Sequence, residues 1–204
     1  MGMLTIMGVD LAGVEKNPTG ICILRDFEVE TKHLYTDEEI LHEAEEVRCD
    51  LVAIDAPLSI PRGRKSLDER SNVHLRECDK ELLKRRIKFF PVTLGPMRIL
   101  TKRGMKLKEK LTRRGFKVIE VFPGGAQDVL GIARKTKGKN KLLVGLKKLG
   151  LKGLRKEMSD HELDAVTAAL VGRFYMEGKY EAFGDPEEGL IIMPEAQVSR
   201  KWRH

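Results

Sequence analysis

Two short apolar runs in this chain each end on an aspartate, and few folds tolerate that arrangement. Residues 4–24 read LTIMGVDLAGVEKNPTGICIL, two apolar, β-rich segments joined by a short loop, with Asp10 where the first segment stops. Residues 50–55, DLVAID, close in the same way on Asp55. Aspartate is a poor strand former, and burying its charge beside an apolar core costs free energy unless something compensates it. The fold must therefore bring these strand ends to a polar site.

Taken in order, residues 4–9, 20–24 and 27–34 predict a three-stranded meander, with Asn17, Pro18 and Gly20 marking the first turn. Thr36 and Glu39 have capping-box spacing and open a helix running to about Arg48, with Ile40, Leu41, Ala44 and Val47 on its apolar face. The strand at 50–55 follows, and Pro57 and Pro61 stop it. Residues 67–87 are expected to be mostly helical, and 97–114 form a very basic helix with Gly104 as a weak point. FKVIEV at 116–121 reads as a further strand carrying Glu120, and 126–130 as a short helix. Residues 135–141 are polar and basic, an expected mobile loop, and 142–154 have apolar residues at helical spacing. The last strong helix spans 160–177, its start set by the Ser159–Glu162 capping box. A short strand at 190–193 and a loose tail complete the chain. Three strands, a helix and further strands between helices imply an α/β protein with a mixed sheet and a helix-borne crossover.

Asp10, Asp55 and Glu120 all lie at or beside strand ends, where ligand sites of α/β sheets form. Carboxylates brought together repel unless a cation sits among them, and hard oxygen ligands suit Mg²⁺ or Mn²⁺. Asp164 lies one turn inside the last helix, on a ridge continued by Ala165, Ala168 and Gly172. Those small residues let the helix approach the sheet closely and bring Asp164 to the strand ends. His161, one turn earlier, is placed to ligate a metal or move a proton. The expected metal ligands are Asp10, Asp55, Glu120 and Asp164; the expected catalytic residues are Asp10, Asp55, Asp164 and His161.

The net charge is +7, but it is unevenly spread. Residues 98–156 hold 19 Lys/Arg against 3 Asp/Glu, a local +16, while the remainder holds 19 against 28, a net −9. A basic block beside an acidic body is the pattern of a polyanion-binding surface, so a nucleic-acid partner is expected. Arg62, Arg64, Arg76, Arg98, Lys102, Arg103 and Lys106 are the expected phosphate contacts, holding backbone without reading sequence. Aromatic residues make up only 5% of the chain, which argues against base stacking along a single strand. No apolar run is long enough for a membrane span, and residues 1–11 lack the basic start and cleavage site of a signal peptide, so no membrane partner and a cytoplasmic location are expected. Cys22, Cys49 and Cys78 have no CxxC spacing and predict neither a disulfide framework nor a zinc site.

GVDLAG, VAIDAPLSIP, Arg76-x-Cys78-Asp79, VIEVFPGG and HELDAVTAAL, in that order, resemble the domain-of-unknown-function family numbered 429, described as predicted nucleases with a ribonuclease H-like fold. The resemblance implies a central mixed five-stranded sheet flanked by helices, in a single domain over residues 1–204 with a helical insertion at about 59–115. RuvC-type Holliday-junction resolvases share that fold. By similarity to them Asp10 matches the first-strand acid, Asp55 the fourth-strand acid, and His161-x-x-Asp164 the closing pair. Their scheme does not require an acid at Glu120, and it admits a homodimer. The activity implied is divalent-metal-dependent hydrolysis of phosphodiester bonds in DNA or RNA. Two alternatives stay open. One is a nucleotide-binding phosphotransferase or ATPase of the same superfamily, using Asp10 to Gly13 and Phe122 to Gly125 as phosphate loops; the other is a non-catalytic nucleic-acid-binding protein.

Overall fold

The computed structural model describes residues 4–196. The meander forms as its alternation and turn residues predict: β1 (Thr5–Asp10), β2 (Thr19–Arg25) and β3 (Glu28–Leu34) pair antiparallel in succession. Helix α1 (Asp37–Glu46) starts from Thr36, whose side chain accepts from the Glu39 backbone while the Glu39 carboxylate accepts from Thr36 in return. Then β4 (Leu51–Asp55) lies parallel to β1, with Asp10 directly opposite Asp55. Helices α2 (Glu77–Lys84) and α3 (Gly95–Arg113) precede β5 (Val118–Val121), which is parallel to β4. Helices α4 (Pro123–Leu130), α5 (Lys139–Lys148) and α6 (Asp160–Met176) lead to a hairpin of β6 (Tyr180–Asp185) and β7 (Gly189–Pro194).

The sheet has the order β3-β2-β1-β4-β5-β7-β6, seven strands where five were expected. Its first five strands in that order pair antiparallel from β3 through β1 and parallel from β1 through β5, and β7 extends the sheet by pairing parallel with β5. Strand β6 carries no signal in the sequence, because YEAFGD alternates weakly and only one of its residues is buried. Among the described residues no helix is long and apolar enough to cross a membrane. The expected loose tail falls mainly on residues 197–204, outside the described residues.

Helix length between β4 and β5 also departs from expectation. The sequence predicts a mostly helical stretch over 67–87, yet only Glu77–Lys84 is α-helical there. The cause is Arg64. Its guanidinium donates to the carbonyls of Glu69 (2.6 Å) and Val73 (2.8 Å), with those of Ser66, Leu67 and Ser71 also in reach. Carbonyls turned toward one side chain are unavailable to a helical ladder, so the segment wraps the arginine instead. Residues 135–141 depart the other way: Lys135–Lys137 form a 3-10 turn and α5 begins at Lys139.

The sheet separates two apolar layers. Ile6, Ala53, Ile119 and Val121 face α4, α5 and α6, while Met7, Val9, Val52 and Ile54 face α1 and α3. Helix α6 is buried along nearly its whole length, and it lies very close to β1 and β2. A Cβ added at Gly8 would sit 2.1 Å from the Ala165 carbonyl oxygen, and one at Gly20 would sit 2.2 Å from that of His161. Glycine at these two positions is what lets the helix backbone lie on the sheet. Gly8→Ala is therefore expected to cost about 2–3 kcal/mol in chemical denaturation, the range for overpacking a rigid contact. Gly95→Ala, with nothing within 4 Å, should stay within about 0.5 kcal/mol.

Candidate functional site

Side-chain alternation decides which carboxylates meet. Asp10 and Asp55 are in register at the carboxyl ends of parallel strands, and both project to the α6 face, two residues beyond Gly8 and Ala53. Helix α6, seated on Gly8 and Gly20, brings Asp164 to the same place. Ligand atoms of Asp10, Asp55 and Asp164 all lie within 4.8 Å of one another. His161 joins from one turn earlier, its Nδ1 2.7 Å from Asp10 Oδ2. Four of the residues expected from the sequence thus converge.

Glu120 does not. It is in register with Ile54, so it shares the face of Ile54, opposite to that of Asp55. There the guanidinium of Arg76 donates to both its oxygens at 2.8 Å, and the Leu58 amide donates to Oε2 at 2.7 Å. Arg76, only 2% exposed, also donates to Asp79. Glu120 is thereby withdrawn from the expected ligand set and Arg76 from the expected phosphate contacts: together with Asp79 they form a buried triad of one guanidinium and two carboxylates. The motif spacing Arg76-x-Cys78-Asp79 carried a signal for this, since a helix cap places Asp79 on the Arg76 backbone.

The other expected phosphate contacts scatter. Arg64 is buried in its loop, and Arg103 is buried where it donates to Asp37 (2.9 Å), the Ala12 carbonyl (2.7 Å) and the Tyr35 carbonyl (2.7 Å). These two are corrected to structural residues. Arg62 pairs with Asp185 at 2.9 Å, Lys102 with Asp68 at 2.6 Å, and half-buried Arg98 donates to the Thr93 carbonyl at 3.1 Å. Only Lys106 stays exposed without such a partner, in the field of Glu38. Arg103 nevertheless matters to the site, because it anchors the loop that follows Asp10.

Two residues that the sequence did not single out complete the cluster. Lys135, from the 3-10 turn before α5, places Nζ 2.5 Å from Asp164 Oδ2. Gln127 of α4, fully buried, donates to Asp164 Oδ1 at 2.9 Å and to the Thr167 hydroxyl at 3.1 Å. No motif marks either one, since each is defined only by where α4 and its following turn pack. Burial, followed by the charges of Asp10 and Asp164, pushes the Asp55 carboxyl well above the usual carboxylate range. Burial also raises Asp164, partly offset by Lys135 and Gln127. Burial works against the Lys135 ammonium, but Asp164, Asp10 and Asp55 outweigh it and raise its pKa. The hydrogen bond to Asp10 raises His161. The cluster is a pocket of excess negative charge that already holds one ammonium ion, and its all-oxygen donor set suits a hard cation.

An α/β protein with a mixed seven-stranded sheet and an acidic cluster at the carboxyl ends of its parallel strands is the class these features define. The chain belongs to the family described as Protein of unknown function (DUF429), whose profile matches residues 8–189. Similar solved structures include two of RuvC from Thermus thermophilus, one of them described as in complex with Holliday junction substrate. Each is 14% identical and covers 86% of this chain and 96% of that chain, with a TM-score of 0.48. No curated protein matches the sequence.

The raised Asp55 pKa has a consequence for stability. Between the ordinary aspartate pKa and its raised folded value, the native protein binds more protons than the unfolded chain, so stability falls as pH rises through that window. His161 acts in the same sense, its contribution being lost as pH rises through its raised folded value. The cation-free protein should therefore melt at progressively lower temperature as pH rises from the ordinary aspartate range through the raised folded values of Asp55 and His161. Asp55→Asn should flatten that dependence and raise Tm at pH 8 by roughly 3–6 °C, the shift that about 1–2 kcal/mol produces in a chain of this size. Calorimetry in chelator measures both; an unchanged pH dependence in the variant would remove Asp55 as its source.

Proposed function

We propose that this protein is a divalent-metal-dependent nuclease that hydrolyses phosphodiester bonds in DNA or RNA. One observation carries the reading: two strand ends and one buried helix, remote in sequence, converge three carboxylates within 4.8 Å, an arrangement costly to fold without a cation. Mg²⁺ or Mn²⁺ held by Asp10, Asp55 and Asp164 would supply an activated water and charge stabilisation at the phosphate. His161, half-exposed and hydrogen-bonded to Asp10, is suited to carrying a proton between the reacting groups and solvent. Lys135 is suited to pairing with a phosphate oxygen once it leaves Asp164. Gln127 fixes the rotamer of Asp164 from behind.

On this reading residues 4–196 act as one domain, and the stretch between β4 and β5 is an insertion that braces the site from outside. Arg103 reaches from α3 to the loop after Asp10, and Arg76 ties the start of α2 to Glu120 of β5 and to the Ser59 hydroxyl in the segment after Asp55. The phosphate-loop alternative gains no support: the Ala12 amide is taken by Thr19 Oγ1, and Pro123 to Gly125 form the first turn of α4.

Purified protein with Mn²⁺ is expected to cut at least one of a panel of end-labelled single-stranded, duplex and four-way-junction DNA and RNA probes. Asp10→Asn should lower the rate at least about 1,000-fold, as loss of a metal-bound nucleophile does. Cleavage by the variant at the parental rate would sink the assignment. Because Lys135 competes for Asp164, Lys135→Met should bind Mn²⁺ roughly 5- to 10-fold more tightly in calorimetric titration. Unchanged affinity would mean that the ammonium does not compete with the ion.

A further inference from the structure

The basic block legible in the sequence is divided by the fold into two halves of different character. Residues 98–117 carry nine Lys/Arg, most of them on α3, and α3 packs beside α1, which is rich in acids. Five of the nine are taken by carboxylates: Lys102 by Asp68, Arg103 by Asp37, Lys110 by Glu38, Arg113 by Glu109 and Arg114 by Glu45. Lys117 lies over the Tyr175 ring. That half of the block is largely spent within the molecule.

The other half is not. Residues 129–156 contain ten Lys/Arg and no Asp or Glu. Arg134 pairs with Asp128, Lys135 with Asp164, and Lys152 lies 3.7 Å from Glu28. Lys137, Lys141, Lys147, Lys148, Arg155 and Lys156 are exposed, and among the described residues none has a carboxylate within 4.0 Å. On α5, Leu142, Leu143 and Leu146 turn into the core, which leaves Lys141, Val144 and Lys148 on the outer face at i, i+3 and i+7, with Lys147 beside them. Like charges so placed repel one another, and among the described residues no carboxylate pairs with them.

We infer that α5 and the turn before it form a track for the phosphate backbone of a nucleic-acid strand, leading to the Asp10–Asp55–Asp164 cluster. The inference rests on the nuclease reading for its direction, since Lys135 stands at the cluster and the chain passes from it straight into α5. Ten residues of α-helix span about 15 Å, the rise of roughly four base pairs. Lysines without a fixed fork grip phosphates and do not read bases, so binding is indifferent to sequence. A membrane surface fits less well: an interfacial helix needs a free apolar face, and that of α5 is buried. The track thus lies on the α5 side of the molecule and not on α3, where the expected contacts Arg98, Lys102, Arg103 and Lys106 lie.

Fluorescence anisotropy with fluorescein-labelled 30-mer DNA, single-stranded and duplex, tests this on the full chain, with EDTA present to keep the probes whole. The triple variant Lys141→Gln, Lys147→Gln, Lys148→Gln should weaken binding about 10- to 100-fold at 0.1 M salt and lower the salt slope by about 2–3. The triple variant Lys108→Gln, Arg113→Gln, Arg114→Gln removes the same charge from α3 and its C-terminal cap and should change affinity less than about threefold. Thermal melts confirm that both fold. Equal losses in the two variants would reduce the effect to net charge, and loss only in the second would return the track to α3; either overturns the inference. An α5 variant that loses binding to phosphatidylserine vesicles while keeping nucleic acid also overturns it. If the parent chain binds neither probe yet Mn²⁺ still raises its Tm through Asp10, the track falls and the metal reading stands. If the α5 variant alone loses nucleic acid but Mn²⁺ has no effect, the track stands and the nuclease reading falls.

Discussion

The close seating of α6 on β1 and β2 is the contact on which the rest depends. With only hydrogen on the α-carbons of Gly8 and Gly20, the helix backbone reaches the sheet at Ala165 and His161. That approach delivers His161 and Asp164 to strand ends already occupied by Asp10 and Asp55. It also fixes the opposite face of α6, where Leu163, Val166, Leu170 and Phe174 pack with the apolar sides of α4 and α5. Helix α4 in turn brings Gln127, and the turn after it brings Lys135. A site made of mutually repelling groups can be held together only by a scaffold that does not yield, and a buried helix over glycine is such a scaffold.

Charge in this molecule is handled by sorting. Arg76 and Glu120 illustrate the interior rule: both are buried, each satisfies the other bidentately, and removing either would leave an uncompensated charge. Arg64 follows the same rule with carbonyls in place of carboxylates. On the surface, α1 and α3 neutralise one another through exposed pairs that individually contribute little but together cancel much of the positive field of α3. The acidic cluster and the exposed lysines of α5 each keep an excess of one sign among the described residues, and Lys135 joins them. Uncompensated charge of opposite sign at adjoining places fits a ligand that brings both a cation and phosphates.

Much of this was legible from the chain alone. Apolar runs ending in Asp10 and Asp55, the two capping boxes at Thr36 and Ser159, and the small-residue ridge after Asp164 are local signals whose physics does not depend on distant partners. What escaped reading depended on partners. Glu120 sits one residue out of step with Asp55, and a one-residue step in a strand reverses the face. Arg64, Arg76 and Arg103 look like surface cations in a basic chain until their carbonyls and carboxylates, supplied by other segments, surround them. The strand β6 has no periodic signal of its own and exists because β7 offers an edge to pair with.

By itself, then, the sequence determined which segments are strands and helices around the site, that two strands must end on aspartate, and that a basic stretch exists. Those properties follow from local propensity, capping and alternation. Only the tertiary structure decided that Asp164 joins the aspartates while Glu120 does not, that an ammonium from Lys135 sits with them, and that Lys141, Lys147 and Lys148 of α5 stay exposed without a carboxylate partner among the described residues. The physical reason is the same in each case: register and burial are set by pairing between residues far apart in the chain, and the partner of a charge determines whether it is part of the core or available to a ligand.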